Sequence, residues 1–358
     1  MHMADALLSP AVGGAFWAGT IGTIGYASKR LSERLDDRTI PLMGVLGAFI
    51  FASQMINFTI PGTGSSGHLG GGMILAVLVG PHAAFLVMAS VLTAQALFFA
   101  DGGLLALGCN IWNLGFYPCF VACPLIYKPL AGDGRSARRI LVASLASGIV
   151  ALQLGAFSVV LQTLLSGKIA LPFTTFLLMM QPIHLAIGIV EGFVTAGVIH
   201  YVRAARPEIL DSSSSSAPLA AGIPLRSVLI GFVALAVATG GALSWFASTH
   251  PDGLEWAIGK VTGKDELPEQ EHGVPAALKN VQEKTAFLPG YGFKPAAGEP
   301  KEKTRETQTP AWPNVDAGTS LSGLIGGVLV LAMVLGIGWA IRAFRGKRSA
   351  PPSARPGL

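Results

Sequence analysis

Long hydrophobic segments separated by polar stretches dominate the chain. Nine of them stand out, and the third is short and rich in glycine. They cover residues 10–28, 40–58, 68–82, 83–100, 103–127, 139–165, 171–202, 226–247 and 319–341. Because about 20 apolar residues in a helix cross the hydrocarbon core of a bilayer, the pattern predicts an all-α polytopic membrane protein.

A polar stretch divides these segments into two groups. Five consecutive serines follow Asp211, and an alanine and a proline follow the serines, which is typical of a flexible linker. We expect a seven-span bundle over residues 1–210, a linker over 211–224 and a two-span unit over 225–358. The two spans of the second unit enclose a long polar segment, 248–318, which we expect on the outer side of the membrane.

The composition supports the membrane class. Hydrophobic residues make up 51% of the chain and charged residues only 13%, whereas a soluble domain has about a quarter charged residues. The net charge of +5 therefore bears on membrane orientation, and we expect no nucleic-acid partner. Basic residues cluster after the first, fifth, seventh and ninth segments. Because basic loops stay in the cytoplasm, the N-terminus is expected outside and the C-terminus inside.

Two parts of the sequence on the expected outer side suggest one metal site. Met1 offers a terminal amine, and His2 offers a backbone nitrogen and an imidazole. His68 lies in the first long polar break and would complete a square plane of four nitrogens, a geometry that suits Ni(II) or Cu(II) better than zinc. We therefore predict Met1, His2 and His68 as metal ligands. The alternative is that a histidine stands at position 2 by chance.

Several polar residues lie inside the predicted spans, where ionisable groups are costly and often functional. They are Gln95, Asn110, Asn113, His184 and Glu191. One interpretation is that they form hydrogen bonds between helices. The other is that they orient the metal ligands, as metal-bound histidines usually require.

Four motifs, taken in order, resemble the NikM/CbiM family. They are Met1-His2, Ser66-Gly67-His68-Leu69-Gly70-Gly71, the stretch from Gln95 to Asn113 with Asp101-Gly102-Gly103 inside it, and His184-Leu185-Ala186-Ile187-Gly188-Ile189-Val190-Glu191-Gly192. The second unit is similar to the small NikN/CbiN component. It has two spans around an outer loop, together with Pro251-Asp252-Gly253-Leu254-Glu255 and Gly290-Tyr291-Gly292-Phe293. The start of the chain, His2-Met3-Ala4-Asp5-Ala6, departs from the usual family opening His-Ile-Pro-Asp-Gly but keeps the chelating atoms.

The resemblance implies the substrate-binding (S) component of a nickel or cobalt energy-coupling-factor transporter in a bacterial or archaeal cytoplasmic membrane. Ni(II) or Co(II) would be the transported substrate, with no permanent cofactor. The implied partners are membrane lipid, a transmembrane coupling (T) protein and two ATP-binding-cassette ATPase subunits. The sequence has no Gly-x-x-x-x-Gly-Lys-Ser/Thr phosphate loop, so ATP hydrolysis is expected of the partners and the chain is not expected to be an enzyme.

The family pattern assigns roles to individual positions. Met1 would give its amine, His2 its backbone and ring nitrogens, and His68 its ring. Asn110, Asn113, His184 and Glu191 match motif positions as supporting residues. The segment 248–318 contains no cluster of metal ligands, so we expect it to aid loading or release and to leave equilibrium binding largely unchanged.

Three other functions stay open. Within the family, cobalt uptake for cobalamin synthesis competes with nickel uptake, although four planar nitrogens favour Ni(II). An intramembrane metalloenzyme would need an open metal position and a general base, as in His-Glu-x-x-His, and that motif does not occur. A structural or channel-like bundle would bind no metal of its own.

Overall fold

The structure is a computed structural model that describes residues 2–168, 171–215, 225–263, 272–294 and 312–349. The helices are α1 (Pro10–Arg34), α2 (Thr39–Gln54), α3 (Gly72–Val79), α4 (Pro81–Phe99), α5 (Leu107–Ile111), α6 (Lys128–Ala131), α7 (Ala137–Ser166), α8 (Phe173–Ala205), α9 (Pro207–Ser215), α10 (Arg226–Gly241), α11 (Gly253–Thr262), α12 (Val274–Thr285) and α13 (Ala317–Ser349). A π-helical stretch, Trp112–Tyr127, joins α5 to α6. Short 3₁₀ turns cover Asp5–Leu7, Leu243–Phe246 and Pro289–Tyr291.

Apolar helices confirm the predicted all-α polytopic membrane protein. In the described part of the chain, five are long and apolar enough to cross a bilayer: Pro81–Phe99, Leu107–Ala131, Ala137–Ser166, Phe173–Ala205 and Ala317–Phe344. Two shorter apolar helices, α2 and α10, accompany them. One short antiparallel pair, β1 (Phe58–Ile60) and β2 (Ser65–Gly67), lies between α2 and α3.

The third hydrophobic segment is not the continuous helix expected over residues 68–82. His68 to Gly71 lie outside any helix, and α3 has only eight residues, a length of about 12 Å. The amides of Gly70 and Gly71 donate to the side chain of Glu191 in α8. Non-helical backbone within a membrane protein requires such partners, because no water reaches it there.

The first residues of the predicted linker, 211–215, belong to a helix. Helix α9 continues to Ser215, and residues 216–224 lie outside the described residues. Pro207 and Glu208 occupy the first turn of α9, where a fixed φ and an acidic side chain favour helix initiation. Ile209 is buried and anchors this helix.

Helices α7 and α8 pack closely through small residues. A Cβ added at Gly188 would lie 2.7 Å from the Cα of Ile149, and one added at Gly148 would lie 3.1 Å from the amide nitrogen of Gly192. This close packing fixes the position of α8, which contains two of the predicted supporting residues, His184 and Glu191.

The second unit contacts both ends of the first. Its residues 272–294 lie against the end of α4 and the connection that follows, where Gln282 Nε2 donates to the carbonyl oxygens of Ala96 at 2.8 Å and Gly102 at 2.7 Å. At the far end of the bundle, Arg342 Nη1 lies 3.0 Å from Asp37 Oδ2. Residues 272–294 and the α1–α2 connection therefore lie at opposite ends of the molecule.

Candidate metal centre

The structure brings His2 and His68 together. Their imidazole rings stack with centroids 5.1 Å apart and planes inclined by 25°. The His2 side chain is only 8% exposed. Met1, the third predicted ligand, lies outside the described residues.

The residue after His2 is held by the backbone and side chains of the α4–α5 region. The Met3 amide donates to Asn110 Oδ1 at 2.9 Å, and the Met3 carbonyl accepts from Asn110 Nδ2 at 3.3 Å and from the Gly103 amide at 2.9 Å. Asn113 Nδ2 lies 3.8 Å from Met3 Sδ. Asn110 thus binds both polar groups of one peptide segment and positions the N-terminal strand.

Asn113 also fits the interpretation as a bond between helices. It exchanges two hydrogen bonds with Gln162 of α7, at 2.8 and 3.0 Å. Asn113 therefore forms hydrogen bonds between helices and also contacts the residue that follows His2.

Two glycines make room for the N-terminal segment. Gly102 has a φ of +80°, and a Cβ there would lie 2.8 Å from Asn110 Nδ2. A Cβ at Gly103 would overlap the carboxylate of Asp5, which accepts the Ala106 amide at 2.9 Å. The Gly-Gly pair after Asp101 is therefore needed for the close approach of residues 2–5.

The tautomer of His68 leaves one ring nitrogen able to bind a metal. His68 Nδ1 lies 2.9 Å from the carbonyl oxygen of Leu69. Because a carbonyl only accepts, Nδ1 carries the proton and Nε2 carries a lone pair. Among the described residues, this buried Nε2 has no hydrogen-bond partner. Burial lowers the pKa of His68 to about 3, so the ring is neutral.

Glu191 fixes the loop that follows His68. Its carboxylate accepts from the Gly70 amide at 2.8 Å and from the Gly71 amide at 3.0 and 3.2 Å. His184 lies two turns earlier on α8, and its Nδ1 donates to the Met180 carbonyl at 2.7 Å. Glu191 therefore supports the loop that contains His68 directly, while His184 lines the cavity next to it.

The polar contacts of His2 involve both of its ring nitrogens. Nε2 lies 3.1 Å from Gln95 Oε1, and Nδ1 lies 3.5 Å from Asp101 Oδ1. Burial lowers the pKa of His2, against the attraction of Asp101. Tyr291 of the second unit holds Asp101 in turn, because its hydroxyl donates to Asp101 Oδ2 at 2.5 Å.

A small cavity adjoins His68. Its volume is about 10 Å³, and its lining includes His68, His184, Gly70, Asp252 and Gly253. That volume holds about one water-sized species. The cavity joins the His68 loop, α8 and the second unit.

Asp252 of the second unit was not expected at this site. Segment 248–318 was expected to aid loading or release, and the structure places its Asp252 in the cavity lining beside His68. Asp252 Oδ1 accepts the amides of Leu254 and Glu255, each at 2.8 Å, as the N-cap of α11. Burial would raise the pKa of Asp252, but the positive charge of the N-terminus and the Glu255 amide hold it well below its ordinary value. The motif Pro251-Asp252-Gly253-Leu254-Glu255 was the sequence signal for this contact.

Side chains alone do not form a complete metal site in the described residues. No group of three or more His, Cys, Asp or Glu side chains there is arranged to hold an ion. The imidazoles of His2 and His68 offer one nitrogen each, so a four-nitrogen site needs two more from the backbone and the N-terminus.

Comparisons with known proteins agree with the division of the chain into two units. Residues 2–209 match the family model CbiM, described as "Cobalt uptake substrate-specific transmembrane region", and residues 226–343 match that of the PDGLE domain. The chain is 31% identical over 335 residues to the "Putative fused nickel transport protein NikMN" of Archaeoglobus fulgidus, covering 93% of this chain and 96% of the relative.

Two further relatives and one solved structure match the first unit or most of the chain. The "Fused nickel transport protein NikMN" of Rhodobacter capsulatus is 30% identical over 290 residues, which are 75% of this chain and 83% of the relative. The "Cobalt transport protein CbiM" of Sorangium cellulosum is 31% identical over 218 residues, which are 59% of this chain and 95% of the relative. The crystal structure of a transition metal transporter is 28% identical with a TM-score of 0.52, covering 58% of this chain and 95% of that one.

Proposed function

The chain belongs to the CbiM family of cobalt uptake substrate-specific transmembrane proteins, and we propose that it captures Ni(II) for ATP-driven uptake as the S component of an energy-coupling-factor transporter. Family membership confirms the resemblance drawn from the sequence motifs. The chain is a membrane-embedded transporter and not an enzyme, because its relatives are metal transport proteins.

The proposed ligands are the Met1 amine, the backbone nitrogen and Nδ1 of His2, and Nε2 of His68. The observation that supports this set is the stacking of the His2 and His68 imidazoles, the second of which has a buried Nε2 without a hydrogen-bond partner among the described residues. The amine and the adjacent backbone nitrogen close a five-membered ring on the metal. The backbone nitrogen and Nδ1 of His2 close a six-membered ring.

The supporting residues act on the segments that contain the ligands. Asn110 and Asn113 hold Met3, which follows His2. Glu191 holds the amides that follow His68 and Leu69. His184 lines the cavity beside His68. Such outer partners typically change metal affinity by about 10- to 100-fold when they are removed.

The rest of the transport system is part of the proposal. A transmembrane coupling protein and two ATPase subunits would supply the energy and the reorientation. The N-terminus, the metal site and the outer segment would face the outside, and the C-terminus the cytoplasm. Residues 1–210 would bind the metal, 211–224 would connect the units, and 225–358 would form the NikN-like unit.

Co(II) is the second candidate, because relatives named for cobalt transport match the first unit. Four nitrogens in a plane favour Ni(II). The test is metal analysis and competition calorimetry on the purified chain, with an unmodified N-terminus, against Ni(II), Co(II) and Zn(II). Tightest binding of Ni(II), with a planar four-nitrogen spectrum, is the expected result. Failure to bind either Ni(II) or Co(II) would remove the proposal, and tighter binding of Co(II) would change the substrate.

A further inference from the structure

A chain of three hydrogen bonds links the loop of His68 to the ring of His2. Gln54 Nε2 donates to the Gly70 carbonyl at 2.8 Å. Gln95 Nε2 donates to Gln54 Oε1 at 2.9 Å. Gln95 Oε1 lies 3.1 Å from His2 Nε2. We refer to Gly70, Gln54, Gln95 and His2, in this order, as the amide relay.

The Gly70 carbonyl fixes which atom donates in every hydrogen bond of the relay. A carbonyl oxygen only accepts, so Gln54 must turn its NH₂ group towards Gly70 and its oxygen towards Gln95. Gln95 must then offer its NH₂ group to Gln54 and its oxygen to His2. The ring nitrogen that meets this oxygen is the donor, so the proton of His2 lies on Nε2.

The tautomer set in this way is the one that chelation requires. With the proton on Nε2, the lone pair of His2 lies on Nδ1, which closes the six-membered ring with the backbone nitrogen. The other tautomer would place a proton on that atom and oppose metal binding. The relay therefore places the proton of His2 on Nε2, and the Leu69 carbonyl likewise places the proton of His68 on Nδ1.

Burial makes the relay effective. The residues Gln54 and Gln95 are 5% and 1% exposed. Water cannot readily replace their hydrogen bonds, and in a low dielectric a chain of such bonds is mutually strengthening. The relay also starts two residues after His68, so the position of one ligand loop is linked to the tautomer of the other ligand.

We propose that Gln54 and Gln95 are positioning residues of the metal site, which set the tautomer of His2 from the backbone of the His68 loop. This inference rests on the proposed function, since it concerns the same ions and the same ligands. Neither glutamine touches the metal. Each acts through its neighbour in the relay.

The test compares three substitutions of buried or half-buried glutamines by methionine, which keeps the length and removes the amide. Gln95→Met removes the acceptor of His2 and should weaken Ni(II) binding by about tenfold or more. Gln54→Met leaves Gln95 free to rotate its amide and should have a smaller effect. Gln153→Met is the matched control, because Gln153 bonds to the Gln181 carbonyl and takes no part in the relay.

A spectroscopic signature separates positioning from general damage. With Cu(II) as the probe, pulsed electron paramagnetic resonance detects the remote nitrogen of each bound imidazole and its hydrogen bond. Gln95→Met should change the signal of one of the two remote nitrogens, and Gln153→Met should change neither.

Unchanged Ni(II) affinity and an unchanged Cu(II) signal in Gln95→Met would overturn the relay. An equal loss in Gln95→Met and Gln153→Met would do the same, because it would indicate a packing effect. Failure of the unsubstituted protein to bind either ion would instead count against the proposed function.

Discussion

Ser66 and Asp252 pair as a parallel β-bridge between the two units of the chain. The Ser66 amide donates to the Pro251 carbonyl at 2.8 Å, and its hydroxyl donates to the His250 carbonyl at 2.8 Å. Because Ser66 lies two residues before His68, the backbone of the second unit supports the strand that leads into the loop of His68. The second unit is thus part of the structure around the site.

Adding a methyl group at Gly253 should disturb this support. A Cβ there would lie 2.6 Å from Ile183 Cγ2 and 3.4 Å from His184 Cε1, so Gly253→Ala must displace the turn or α8. Overpacking of this kind costs about 1–3 kcal/mol. We expect a lower melting temperature of the metal-free protein and weaker Ni(II) binding by calorimetry.

Gly241→Ala is the control for that substitution, because a Cβ at Gly241 meets no atom within 4 Å. It should leave both the melting temperature and the affinity near those of the unsubstituted protein. If Gly253→Ala binds Ni(II) as tightly as Gly241→Ala, the turn does not support the site.

The sequence predicted those features that depend on local pattern or on a recognisable motif. Apolar runs located the long helices, and the motifs around His2 and His68 marked the residues that the structure brings together. The interruption before α3 was not predicted, because it depends on the carboxylate of Glu191, which is distant in sequence. Gln54 and Asp252 were missed for the same reason: only the folded chain places them beside the ligands.

Replacement of Glu191 by glutamine should weaken the His68 loop. The carboxylate accepts from two adjacent amides at once, whereas a glutamine has one acceptor oxygen and would turn its NH₂ group towards another donor. A buried donor without a partner costs about 1–3 kcal/mol. Glu191→Gln should therefore unfold at a lower temperature and bind Ni(II) more weakly. Glu208→Gln, on the exposed part of α9, is the control, and equal behaviour of the two variants would contradict this role.

His68→Ala should abolish high-affinity Ni(II) binding and leave the protein folded in detergent. The substitution removes the Nε2 lone pair, while the neighbouring backbone stays bound to Glu191. His200→Ala, farther along α8, is the matched histidine control. Calorimetry measures the Ni(II) affinity of both variants. An unchanged affinity in His68→Ala would exclude His68 as a ligand.

The lowered pKa values of the two histidines predict how many protons Ni(II) binding releases. Burial lowers the pKa of His68 to about 3 and also lowers that of His2, so at pH 6 the His68 ring is neutral and the His2 ring is less protonated than a free imidazole. The amine, with an ordinary pKa of about 7.7–8.0, and the backbone amide must each lose one. Binding at pH 6 should therefore release at least about two protons and fewer than three, measured by calorimetry in buffers of different ionisation enthalpy.

Rings with an ordinary pKa of 6.5 would raise that number to about three and a half, and this result would contradict the lowered pKa values. The lowered pKa values of His2 and His68 also make the free energy of unfolding depend on pH. Below pH 6.5 the unfolded chain binds more protons at these histidines than the folded chain does. The stability of the metal-free protein should accordingly fall as the pH decreases from 6.5 towards 3.

The N-terminus gives the most decisive prediction, because it changes the site without removing a side chain. The five-membered ring needs a free amine on Met1, and the six-membered ring needs a histidine at the second position. One residue inserted between Met1 and His2 moves the imidazole out of the chelate, and acetylation removes the amine as a donor. An N-terminal tag does both, so each change should eliminate tight Ni(II) binding and cellular uptake. A tag after residue 358 is the control and should change neither, because it is remote from both histidines in the sequence. Normal nickel uptake by an N-terminally extended chain would show that the proposed ligand set is wrong.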